Sequence, residues 1–158
     1  MSLQDFANTL ADTWLATELT DSTWLFGTVE SFHVVALTLV FGSIALVDLR
    51  LLGLVQGSRP VNDLLRSVLP LTWAGFALAA ITGTTLIFAN PIGYSENFFF
   101  KGKLLLLLLA GLNVAVFHFW VQPRATSPEA LAPRISGGIS LVLWVTIVSF
   151  GRWIGFTI

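Results

Sequence analysis

The sequence has no cysteine and a single methionine, its first residue. Without thiols there are no disulfides, iron–sulfur clusters, thiolate metal sites or covalent c-type haem attachment. Without thioethers there is no soft-sulfur path for copper(I). Charge is scarce as well: Asp, Glu, Lys and Arg make up 11% of the residues, against about 25% in a soluble domain. The net charge of −1 leaves neither a basic nucleic-acid surface nor an acidic tail, so no nucleic-acid partner is expected. The first 23 residues hold no Lys or Arg, so no cleavable signal peptide is expected either.

What is present is mostly hydrocarbon. Of 158 residues 55% are hydrophobic, and mean hydropathy is +0.82. The apolar runs exceed what a soluble core needs. The chain therefore reads as one all-α integral membrane domain over residues 1–158, a four-helix bundle in a lipid bilayer. Spans are predicted at about 24–50, 69–88, 103–121 and 137–156.

Residues 1–22 are predicted as an amphipathic helix lying in the interface, with Leu3, Phe6, Leu10 and Trp14 at helical spacing. Ser2 and Asp5 have capping-box spacing, and Asp21 or Ser22 would cap the first span. Pro60 and Pro70 suggest the entry to the second span, and Pro123 ends the third. Gly75, Ala79 and Gly83 form a small-residue track on the second span. Gly151 and Gly155 give GxxxG spacing on the fourth, and together these tracks suggest a homo-oligomer.

Lys and Arg set the orientation. The first–second and third–fourth connections carry Arg50, Arg59, Arg66, Arg124 and Arg134, against Lys101, Lys103 and Arg152 on the other side. Both termini are expected in the periplasm, in a bacterial inner membrane.

The first span is the centre of interest. From Trp24 to Val47 its 24 residues include two ionisable groups, Glu30 and His33, which share a face. Polar groups at that depth are costly in lipid and are expected to serve a function. Counted from the span ends, Glu30, His33, Lys103 and Arg152 converge in the outer half of the bundle, with Asn113 near the depth of His33 and Thr82, Thr84 and Thr85 adding hydroxyls. This set suits haem b: a neutral imidazole ligates the iron and cations receive the propionates. His33 would be the axial ligand, Lys103 and Arg152 the propionate or substrate contacts, and Glu30 a proton carrier. The bland alternative is a structural one. His33 would hydrogen-bond a Ser or Thr on the next helix, and Glu30 would pair with Lys103 or Arg152.

His118, the other imidazole, lies about 22 Å along the third helix from Lys103. It is expected as an interfacial residue, or as the ligand of a second haem. Asp48 is expected to anchor the inner end by pairing with Arg66 or Arg124. Phe98, Phe99 and Phe100 are expected to wedge into the outer interface.

The stretches ESFHVVALTLVFGSIALVDLRLLG, LTWAGFALAAITG and NFFFKGKLLLLLLAGLN resemble a bacterial family of four-span membrane proteins of unassigned function. A more distant resemblance is to the HemJ-like membrane protoporphyrinogen oxidases. It rests on His33, Gly42 and Arg50 in the first span and on Lys103 opening an aliphatic third span. That resemblance implies haem b, with a redox role for His33 and Lys103. The chain differs from that group in having Asn113 near the place of a third-span histidine, and Arg152 in the fourth span. The copper-resistance D-like membrane proteins have a related plan. The leading expectation is a haem-b membrane oxidoreductase passing electrons to or from quinone or a porphyrin-like substrate. The alternative is a non-enzymatic transporter or channel subunit, or an assembly partner, with a structural polar cluster.

Overall fold

A computed structural model describes residues 3–55, 61–124 and 130–158. Two short helices open it, α1 (Leu3–Ala11) and α2 (Trp14–Asp21), followed by the long α3 (Leu25–Leu51) and α4 (Val61–Ile87). The short α5 (Pro91–Glu96) leads into α6 (Phe98–Val116). This helix runs on through a π-helical turn at Phe117–Val121 and a 3-10 turn at Gln122–Arg124. The last helix is α7 (Leu131–Thr157). Among the described residues there is no strand.

Four segments of 27 residues have hydropathy between 1.6 and 2.2. Each is about 40 Å long, enough to cross a hydrocarbon core of about 30 Å. The chain is a multi-pass membrane protein, and its apolar outer faces meet lipid.

Three boundaries differ from the sequence reading. The N-terminal segment is two helices, because Thr13 adopts extended backbone and accepts a bond from Ala16 N–H at 3.4 Å. The second span begins at Val61, so Pro70 lies inside α4; its ring removes one intrahelical bond without ending the helix. Asn97 starts α6 five residues before Lys103 by accepting from Phe100 N–H at 3.0 Å. Its amide also donates to Thr157 at 2.8 Å and ties the two helix ends together. Ser22 does serve the first span, accepting from Leu25 N–H at 3.2 Å. Ser2, Pro60 and Arg59 lie outside the described residues.

At its far end α3 stops at Gly53, whose φ is +76°. Gly53 N–H donates to Arg50 C=O at 3.1 Å and Leu54 N–H to Leu49 C=O at 3.0 Å. These two bonds satisfy the last carbonyls of the helix, and only glycine adopts that φ without strain.

The long helices pack as an open row. Helix α3 touches α4 on one side and α7 on the other, and α6 packs on α7. The small-residue track of α4 faces α3. A Cβ on Gly75 would stand 3.1 Å from Val40 Cγ2 and 3.4 Å from the Ala36 carbonyl. The track is thus used within the chain. Halfway along, Val40, Ala110, Trp144 and Ile147 of α3, α6 and α7 form one core. At the end away from α5, Val47 and Leu51 meet Val61, Leu65 and Phe117, which brings in α4. At the other end α1 packs on α5, and α2 rests on α3.

Candidate functional site

His33 faces α4. Its Nδ1 lies 2.9 Å from Thr82 Oγ1, and its ring fills the space beside Gly83, where a Cβ would come within 2.9 Å of Cε1. The Thr82 hydroxyl proton is already used, donated to the Leu78 carbonyl at 2.7 Å. Thr82 therefore accepts from His33, whose Nδ1 carries the proton. In the neutral ring this assigns the proton to Nδ1 and leaves Nε2 as the acceptor.

Lys103 stands at the same level from across the bundle. Its ammonium is near enough to act electrostatically on the imidazole. Its Nζ is 3.3 Å from where a Cβ of Gly151 would lie. Among the described residues no carboxylate pairs with it. Four helices thus meet at one level through His33, Thr82 and Gly83, Lys103, and Gly151.

The other expected members are elsewhere. Arg152 is exposed and lays its guanidinium over the Phe156 ring, 4.5 Å from the centroid. Glu30 is exposed near Tyr94 of α5, whose hydroxyl is pushed above its ordinary value first by burial and then by the Glu30 carboxylate. The expected ion pair of Glu30 with Lys103 or Arg152 is not formed. Asn113 lies deeper than counted because α6 starts at Phe98. It exchanges hydrogen bonds with Ser136, its amide donating to the carbonyl and its oxygen accepting from the hydroxyl, both at 3.2 Å. Phe98 is exposed, whereas Phe99 stacks on Trp153 at 6.0 Å and meets Phe150 edge-on at 5.4 Å. Part of the Phe triplet is therefore α6–α7 packing.

A cavity of about 260 Å³ lies in the other half of the bundle, lined by all four long helices. His118 lines it, as do Asp48, Asn113, Ser140 and Trp144, whereas His33 and Lys103 do not. His118 donates Nδ1–H to the Val114 carbonyl at 3.0 Å, which leaves Nε2 as an acceptor. Asp48 is 4% exposed and lies beside Ser140, in place of the expected pairing with Arg66 or Arg124. Sequence reasoning missed this polar wall of α7. Its signal was Ser136, Ser140 and Trp144 at four-residue intervals, a stripe that faces one neighbour.

The donor set allows a fit test for haem b. An imidazole held through Nδ1–H with Nε2 as acceptor is the form that ligates iron, and the bond from Nδ1–H to Thr82 sets the direction of the ring. By donor chemistry His33 suits this role and Lys103 that of a propionate contact, but the His33 ring is packed against Gly83 and neither residue lines the cavity. Arg152, turned to Phe156, does not. Among the described residues no group of three or more His, Asp or Glu could hold a bare metal ion.

A family model described as "Family of unknown function (DUF6644)" matches residues 15–157. No curated protein and no solved structure matches the chain.

Proposed function

The chain belongs to this family of unknown function, DUF6644, and from that premise we propose that it is a haem-b-binding membrane redox protein. The observation that carries the reading is the fixed His33 tautomer, with Nε2 unprotonated inside the bundle beside a half-buried lysine. Haem b, when bound, supplies a one-electron couple within the bilayer. His33 would hold the iron, Thr82 would keep the ring from turning, and Lys103 would neutralise a propionate. Glu30, near Tyr94 at the α5 end, exchanges protons with water. The electron partner is a quinone or a porphyrin-like substrate. The excess of arginine on the connections opposite α5 supports a bacterial inner membrane, with both termini in the periplasm.

A second reading is favoured by the same contact. The His33–Thr82 bond and the ring seated on Gly83 join α3 to α4, as a purely structural cluster in a transporter subunit or assembly partner would. Colour separates the two. Protein purified from haem-replete cells is expected to show a reducible b-type spectrum that is lost in His33→Ala and kept in His118→Ala. Colourless protein, or a spectrum that survives in His33→Ala, overturns the haem reading.

A further inference from the structure

The cavity at the far half of the bundle contains two polar atoms that nothing answers. Asp48 Oδ2 and Trp144 Nε1 are buried and, among the described residues, have no hydrogen-bond partner. Buried polar atoms are nearly always bonded, because leaving one unpaired forfeits its hydration without return. One orphan is an acceptor and the other a donor. Ser140, which lies beside Asp48, is one turn of α7 from Trp144, about 6 Å along the axis. One hydroxyl is able to answer both kinds of orphan, donating to a carboxylate oxygen and accepting from an indole N–H.

Four further features narrow the ligand. His118 Nε2 gives the same cavity a second acceptor, because its Nδ1–H is spent on Val114. Two acceptors and one donor suit a molecule with two hydroxyls better than one with two carbonyls. The π-helical turn at Phe117–Val121, which carries His118, is the kind of helix irregularity that often marks functional sites. The volume, about 260 Å³, lies just below the roughly 300–1,000 Å³ of drug-sized pockets and suits one six-membered ring, not a macrocycle. Trp73 and Phe76 of α4 line the cavity yet are 60% and 40% exposed, so its mouth opens sideways into the lipid. Helices α4 and α6, the two ends of the row, meet at its inner end through Leu65 and Phe117 and stand further apart beside Trp73 and Phe76.

We propose that this cavity binds the head group of a membrane-dissolved hydroquinone. One ring hydroxyl bridges Asp48 Oδ2 and Trp144 Nε1–H, the other donates to His118 Nε2, and the apolar tail leaves between α4 and α6. Binding does not involve His33; only use of the quinol as an electron donor rests on the haem reading.

The test is anaerobic calorimetry of the full chain in nanodiscs, with empty nanodiscs as the partition control. The probes are a decyl-tailed benzohydroquinone, the matching benzoquinone and the hydroquinone dimethyl ether. Saturable one-to-one binding of the hydroquinone is expected, with the quinone weaker and the ether no better than in empty discs. Trp144→Phe, which keeps a ring and removes the N–H, weakens binding roughly tenfold. Asp48→Leu, an apolar side chain of similar size, does the same, and Gly155→Ala, at a position with open space, leaves the affinity unchanged. An ether that binds as well as the hydroquinone overturns the proposal, as does heat no greater than in empty discs, the result for a cavity that holds only water. Quinol binding to a colourless protein would leave this proposal standing and remove only the haem reading.

Discussion

A threonine decides which nitrogen of His33 is available. Thr82 spends its proton on its own helix, so its oxygen takes the proton of Nδ1 and exposes Nε2. A second residue reports on its surroundings without interference, because Tyr94 is the chain's single tyrosine. Burial and then Glu30 push its hydroxyl above the ordinary value. An alkaline titration of tyrosinate absorbance is expected to show a midpoint above about 10. Glu30→Gln should lower that midpoint only part of the way, since burial is the larger cause; an unchanged midpoint would remove Glu30 from the neighbourhood of Tyr94. The neutral phenol is favoured by the fold. Its stabilisation is therefore complete below the ordinary value and is lost as pH rises through the raised one.

Residue spacing made the meeting of His33 and Lys103 legible, because both depths could be counted from span ends. Asn113 was misplaced because the count began at Lys103, whereas the Asn97 cap starts the helix earlier. Asp48 was matched to arginines by charge. Its neighbour is a neutral serine on α7, and composition ranks an opposite charge above a hydroxyl.

At the scale of helices, glycines separate packing from propensity. Gly83→Ala would drive a methyl to 2.9 Å from the His33 ring. It is expected to destabilise the fold by about 1–3 kcal/mol. Gly155 has open space within 4 Å, so Gly155→Ala is expected to be neutral or stabilising by up to about 1 kcal/mol. Unfolding in mixed detergent micelles measures both, and equal effects would contradict the α3–α4 seam. The four spans were legible from apolar run length alone. Their starts were not, because α4 and α6 begin in polar or aromatic residues that hydropathy discounts. The break at Thr13 was also hidden, since the apolar spacing of Leu3, Phe6, Leu10 and Trp14 runs straight across it.

At the scale of the whole molecule, the absence of cysteine permits a clean test of orientation. Glu96→Cys is expected to react in intact cells with a membrane-impermeant maleimide. Leu54→Cys, at an exposed position on the opposite end, should react only after the membrane is opened. The reverse pattern would invert the proposed topology. The small-residue track of α4 is consumed by α3, so a second copy would have to meet another face, and Gly155 on α7 has the room.

The row of helices is closed on three sides and open on the fourth, where α4 and α6 stand apart. The two meet where Phe117 and Gln122 reach Leu65 and Asn62 at the far end; along the rest of the gap acyl chains press on both. Lateral pressure in the bilayer thus becomes part of the protein's own mechanics. Tighter lipids are expected to narrow the slit and looser ones to widen it, so quinol affinity, if the cavity binds one, should vary with the acyl chains of the nanodisc.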